Sequence, residues 1–298
     1  MRAETSNCTE LVRKTASAFG DQKLRQLFES VVVLDSELVE AIKLRRKCQH
    51  FRILVIGRAN AGKTTLLKKV CDSVEEPEIY SPSGKKVPIL ISCIYGLTLL
   101  TQRGEHDINN QLIFKSNRQF IFHDSRGFES GSGDELHQVK TFIASRAGAG
   151  KLSEQLHTIW YCLPTDTNRP LLATDEHFFN TSATGKVPVV SIFTKFDGLL
   201  TEAVSHLVDE GYSWEEAEEG QIDQAMQMLT NNFTKPLMSS KFPPTNLVRL
   251  DDMRSETSDC SELIEKTFNA LSDNTLKMLF VSVQQNNINL CIRQAMRE

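Results

Sequence analysis

Short, predominantly apolar runs recur along this chain, separated by segments whose apolar residues fall at helical spacing. Phe51-Arg52-Ile53-Leu54-Val55-Ile56 and Val187-Pro188-Val189-Val190-Ser191-Ile192-Phe193 are short and β-branched, as strands buried on both faces are. Thr65-Leu66-Leu67-Lys68-Lys69-Val70 follows with helical spacing. The pattern predicts strands near 51–56, 105–114, 119–123, 158–163, 187–193 and 245–250. Strands alternating with helices predict an α/β fold, a mostly parallel six-stranded sheet with helices on both faces. Ser213-Trp214-Glu215-Glu216 reads as a capping box opening an acidic helix that runs through Met226, Met228 and Leu229 toward Phe233. Trp214 and the methionines either face the core, the preferred reading, or form a partner surface.

Residues 1–31 align without a gap on 253–283, with 17 identities in 31 positions. Both copies carry a capping pattern, Asn7-x-x-Glu10 and Asp259-x-x-Glu262, then helical spacing, a break at Gly20-Asp21 or Ser272-Asp273, and a second amphipathic segment. Each copy is expected to be a helical hairpin. Two copies about 250 residues apart are too few for a solenoid. A duplicated parent is the simplest account, the chain starting partway through one unit and ending partway through the next. The expected division is an N-terminal hairpin over 1–50, a central domain over 51–253 and C-terminal helices over 254–298. Residues 1–48 are expected to dock on the outside of the central domain or on a second protomer.

Composition narrows the function classes. Of 298 residues, 40% are hydrophobic and 24% charged, the net charge is -4 and the pI is near 6.0. That balance offers no bulk attraction for nucleic acid or an anionic membrane. Seven scattered cysteines form no CxxC pair, which argues against zinc or a disulfide framework and for reduced, mostly buried thiols. The longest apolar run, Val87 to Leu100, has 14 residues broken by Pro88, Ser92 and Gly96, too short for a membrane span. No signal-peptide segment is evident, and the expected location is cytoplasmic.

Gly57-Arg58-Ala59-Asn60-Ala61-Gly62-Lys63-Thr64-Thr65 lies where a strand should end and a helix begin. Its glycines let backbone N–H groups turn inward on a polyphosphate, and the helix N-terminus adds partial positive charge. Asn60, Ala61, Gly62, Lys63, Thr64 and Thr65 are therefore expected nucleotide contacts. Lys63 would reach the β- and γ-phosphates, and the Thr64 hydroxyl would hold Mg²⁺. Downstream, Phe120-Ile121-Phe122-His123-Asp124-Ser125-Arg126-Gly127 is a strand followed by DxxG. Asp124 would hold Mg²⁺ through a water, and the Gly127 N–H would sense the γ-phosphate.

The second long strand ends in Thr194-Lys195-Phe196-Asp197, and here the chain resembles the GTPase family, whose base-reading motif is N/T-K-x-D. The resemblance implies that Asp197 accepts hydrogen bonds from guanine N1 and N2 while the Lys195 stem lies over the ring. Adenine lacks that donor pair. Thr194 stands where Asn is commoner. The resemblance further places Asn246 to Leu250 as the last strand, with Asp252 in the loop beside the base. It requires a Mg²⁺-binding switch threonine, Thr98 or Thr101, of which Thr101 is preferred. Lys63 and Thr101 are thus the expected catalytic residues, and Thr64, Thr101 and Asp124 the metal ligands.

The loop GRANAGKTT resembles the GRPNxGKS loop of the Era and tRNA-modification GTPases, over about residues 51 to 253. In several members of that group the asparagine matching Asn60 helps bind K⁺ beside the phosphates; the alternative is that Asn60 hydrogen-bonds its own loop. The wider arrangement, including RGEHDI, FIFHDSRGFESGS and VPVVSIFTKFD, is similar to fungal, chiefly mushroom-type, G-domain proteins. The segment Leu199 to Pro244 is longer than a minimal G domain requires. Phe128 follows Gly127 where many small GTPases place a water-orienting glutamine, so hydrolysis should be slow unless Glu129, His123, Arg126, a partner or dimerisation supplies the function. Arg58 and Arg103 are further candidate charges for that function, the preferred reading of each being a solvated loop arginine. The resulting expectation is a slow GTPase switch whose segments 75–107 and 127–140 order around GTP·Mg²⁺, acting through a nucleotide-dependent homodimer or an effector. A non-catalytic GTP-binding scaffold is the alternative, and an adenine-nucleotide enzyme a third.

Overall fold

The computed structural model describes residues 44, 48–87, 107–125, 133–181, 184–255 and 257–283. The hairpin expected over 1–50 falls almost wholly outside them, as do Thr98, Thr101, Arg103, Arg126, Gly127, Phe128 and Glu129.

The described residues form an α/β fold around one mostly parallel sheet of seven strands, one more than the apolar runs predict. The strands are β1 (Phe51–Gly57), β2 (Glu78–Tyr80), β3 (Gln111–Phe114), β4 (Asn117–Asp124), β5 (Thr158–Pro164), β6 (Val189–Thr194) and β7 (Asn246–Arg249). Their order is β2-β3-β4-β1-β5-β6-β7. β2 and β3 run antiparallel at one edge; β4, β1, β5, β6 and β7 run parallel. The extra strand, β2, is three half-buried residues, too short and too polar to register as an apolar run. It lies within the expected switch segment 75–107, where Tyr80 bridges back to Lys86 around Gly84, while residues 88–106 lie outside the description.

β1 is buried along its full length because alternate residues serve two cores. Ile53 and Val55 join Phe120, Phe122, Trp160 and Ile192 on one face. That face is covered by α1 (Lys63–Val70) and by a C-terminal pair, α7 (Ser261–Ala270) and α8 (Asn274–Ser282). Leu54 and Ile56 join Tyr161, Leu163 and Phe193 on the other. There the cover is α2 (Gly133–Ala147), α3 (Ala173–Thr181), α4 (Phe196–Asp209) and α5 (Trp214–Leu229).

The capping box at Ser213 is present in both directions, Glu216 N to Ser213 Oγ and Ser213 N to Glu216 Oε2. The core stripe of α5 is Ala217, Ala225 and Leu229, with Met228 half-buried against the same core as expected, but not Trp214, which is 62% exposed, or Met226, 39% exposed. Small residues let α5 lie close to the domain and leave the large ones outside. Pro236, in the first turn of α6 (Lys235–Met238), lacks an N–H, and the backbone widens to a π turn over Thr230–Thr234 just before it. The capping pattern at Asp259 is also corrected. Cys260 is the N-cap of α7, and Asp259 Oδ1 accepts instead from Ser261 N. No helix among the described residues is long and apolar enough to cross a membrane.

Candidate functional site

β1, β4, β5, β6 and β7 all end on one side of the sheet, so Gly57, Asp124, Thr194 and the turn after Arg249 meet at a single edge. β1 leads this edge from the centre, between β4 and β5.

The loop after β1 is shaped by three residues. A Cβ on Gly57 would stand 2.6 Å from the Cys162 carbonyl oxygen, so only glycine lets the chain leave β1 pressed against β5. Asn60 and Gly62 have φ of 60° and 78°, the left-handed turns that fold the loop back into α1. Lys63 begins that helix and bends its ammonium into the loop. Nζ donates to the carbonyls of Gly57 at 2.9 Å and Arg58 at 3.0 Å, and lies 3.9 Å from Asp124 Oδ1. Thr64 is exposed at the same helix end. The Asn60 side chain is exposed.

Thr194 reaches this loop from β6. Its Oγ1 donates to the Ala61 carbonyl at 2.9 Å, with Thr194 3% exposed and Ala61 1%. Lys195 follows at φ 60°, its carbonyl and that of Thr194 both accepting from Thr165 Oγ1 at 3.0 Å. Lys195 Nζ pairs with Asp166 Oδ2 at 2.8 Å. Asp197 is exposed in the first turn of α4, its carboxylate without an ion pair among the described residues. Gly198 is needed next to it, because a Cβ there would lie 2.6 Å from Asp166 Cβ.

The third loop carries Asp252, exposed, with Oδ1 accepting from Arg254 N at 3.0 Å. Two contacts hold this loop to its neighbours: Lys69 Nζ of α1 donates to the Ser255 carbonyl at 2.7 Å, and the Arg249 guanidinium lies 4.4 Å over the Phe196 ring. Thr194 therefore touches the loop before Lys63 directly, while the Asp252 loop is tied to the far end of α1 and to the start of α4.

Two expectations are overturned. Arg58 is not a solvated loop arginine; it is 9% exposed and donates to the carbonyls of Arg169 at 2.6 Å and Pro170 at 2.7 Å. It also pairs at 2.8 Å with Asp175, which is fully buried and accepts from Tyr161 Oη at 2.7 Å and Leu172 N at 2.8 Å. This buried network clamps the loop to the start of α3, and only the acidic start of that helix hinted at it in the sequence. Burial, then the Asp175 charge, pushes the Tyr161 phenol well up.

His123 cannot serve catalysis. It is fully buried on the face of β4 opposite Asp124, packed 4.7 Å from the Phe142 ring. Arg52 Nη1 donates to Nε2 at 2.7 Å, so the ring's own proton lies on Nδ1, donated to the Ile108 carbonyl at 2.8 Å. Burial, and then the Arg52 charge, hold its pKa down at about 3. Cys162, behind the loop, is held up at about 12 by burial and is an inert thiol.

Among the described residues no three of His, Cys, Asp and Glu gather as a metal site. No family model matches the chain, and no curated protein matches it.

Proposed function

We propose that the chain is a guanine-nucleotide-binding protein with a P-loop G-domain fold, and a slow GTPase. The observation that carries the reading is the Thr194–Ala61 hydrogen bond, which joins a TKxD strand end to a GxxxxGKT loop. A base-reading loop must be held in register with a phosphate loop, and this bond does that. Lys63, curled onto the carbonyls of its own loop, is placed to exchange those contacts for phosphate oxygens. Asp197, exposed at the start of α4, is available to accept the two guanine donors, and the Lys195 stem to cover the ring.

The Thr64 hydroxyl and the Asp124 carboxylate are hard oxygen donors suited to Mg²⁺, and the ammonium 3.9 Å from Asp124 marks where positive charge is favoured. Mg²⁺ bound there would neutralise charge between the β- and γ-phosphates. Thr101 and Gly127 complete the proposed site by resemblance, and Asn60, with its side chain exposed, is the proposed K⁺ contact. Phe128 offers no hydrogen bond to an attacking water, which supports slow turnover. It equally favours the second reading, a GTP-binding scaffold that does not turn over. Multiple-turnover phosphate release, compared with Lys63→Ala and between K⁺ and Na⁺, separates the two. Release that is Lys63-dependent supports the GTPase, and release no faster than in the variant supports the scaffold.

A further inference from the structure

The α7–α8 hairpin occupies a defined seat on the sheet. Phe280 packs edge-on against Phe51 at 4.7 Å between ring centroids and lies 6.2 Å from Phe120. Trp160 Nε1 donates to Thr267 Oγ1 at 3.0 Å, and Asn117 Nδ2 donates to the Val283 carbonyl at 3.3 Å. Among the described residues of 253–283, nine are buried. In the upstream copy seven of those nine are the same residue, Thr15, Leu27 and Phe28 among them, and the other two are apolar for apolar, Val12 for Ile264 and Phe19 for Leu271. At the nine exposed positions only four agree. The agreement thus concentrates on the face that the sheet reads, including the hydroxyl that takes the indole N–H.

We propose that residues 1–31 are a second occupant for this same seat, able to replace 253–283 on the sheet of their own chain. Connectivity permits it. The seat ends beside β1, where Phe280 touches Phe51 and Val283 meets the first residue of β4. Leu44 is already packed on this core, with its carbonyl accepting from Cys48 N, and the 12 residues from 32 to 43 that join the upstream copy to it reach roughly 40 Å when extended, ample for the return. Only one copy fits at a time, so the other always presents its apolar face. The released copy is then the surface that a partner can take. The proposal is independent of which nucleotide the domain binds.

The test is a double-mutant cycle on the full chain, read as melting temperature. With a substitute available, Phe280→Ala alone and Phe28→Ala alone each lower it by under about 2 °C, whereas the double variant loses roughly 8 °C or more. A full loss from Phe280→Ala alone, or failure of that variant to fold, with nothing added by Phe28→Ala, overturns the proposal. A photo-crosslinking phenylalanine at position 28 in the Phe280→Ala chain gives an independent reading. Expected are crosslinks to peptides containing Phe51 or Phe120 of the same chain. Crosslinks elsewhere, or between isotopically distinct chains in a mixed sample, contradict it.

Discussion

Thr194 Oγ1 donates to the carbonyl of Ala61 at 2.9 Å, so a residue at the end of β6 holds the loop that follows β1. Both residues are buried, and a lost donor there leaves the carbonyl without its partner. Thr194→Val keeps the shape and removes the bond. It should weaken binding of a fluorescent guanine nucleotide by about 5- to 10-fold, from a bond of about 1 to 1.5 kcal/mol. Thr194→Ser, retaining the hydroxyl, should recover most of that loss. Equal affinity in Thr194→Val and the parent would remove this bond from the account.

Arg58 and Asp175 form a buried pair with every Asp175 oxygen in use. Truncating one partner strands the other's charge, and Arg58→Ala should cost about 3 to 5 kcal/mol by urea denaturation. Replacement of a solvated arginine would cost well under 1 kcal/mol.

Much of this fold is legible in the sequence, for a reason visible at β1, β5 and β6. Strands buried on both faces must be mostly apolar, and the loop after β1 must carry glycine where the backbone crowds β5. What was not legible is set by distant partners. Arg58 looks solvated locally because its acceptors, Arg169, Pro170 and Asp175, are more than 100 residues away. His123 looks available because only the pleat decides that it faces Phe142 rather than the loop. Trp214 looks like core because α5 buries alanines where larger residues would be expected.

Gly57 and Gly150 make opposite predictions. A methyl at Gly57 meets the Cys162 carbonyl at 2.6 Å, and at Gly150 nothing within 4 Å. Gly57→Ala should lower the melting temperature by several degrees or prevent folding, and Gly150→Ala should leave it within about 1 °C.

Stability should fall in mild acid. His123 is neutral when folded, with its pKa down at about 3, against an ordinary 6.5 for the unfolded chain. The unfolded state therefore binds the extra proton first, and the stabilisation present above pH 6.5 is lost as pH falls toward 3. His157, lowered to about 4 chiefly by burial, acts in the same direction. Between pH 7 and pH 5 each contributes a loss of about 2 kcal/mol. Urea midpoints for His123→Gln should fall less steeply over that interval than those of the parent; parallel slopes would contradict the assignment.

The central claim is that the Gly57 to Thr65 loop and the Thr194 to Asp197 turn together hold a guanine nucleotide. Displacement of a fluorescent GDP analogue from the full-length protein tests it most directly. Release by GTP and GDP at micromolar concentration is expected, with none by ATP at 100-fold excess and no binding of the analogue to Lys63→Ala. Displacement by ATP as effective as by GTP, or unchanged binding in Lys63→Ala, would contradict it.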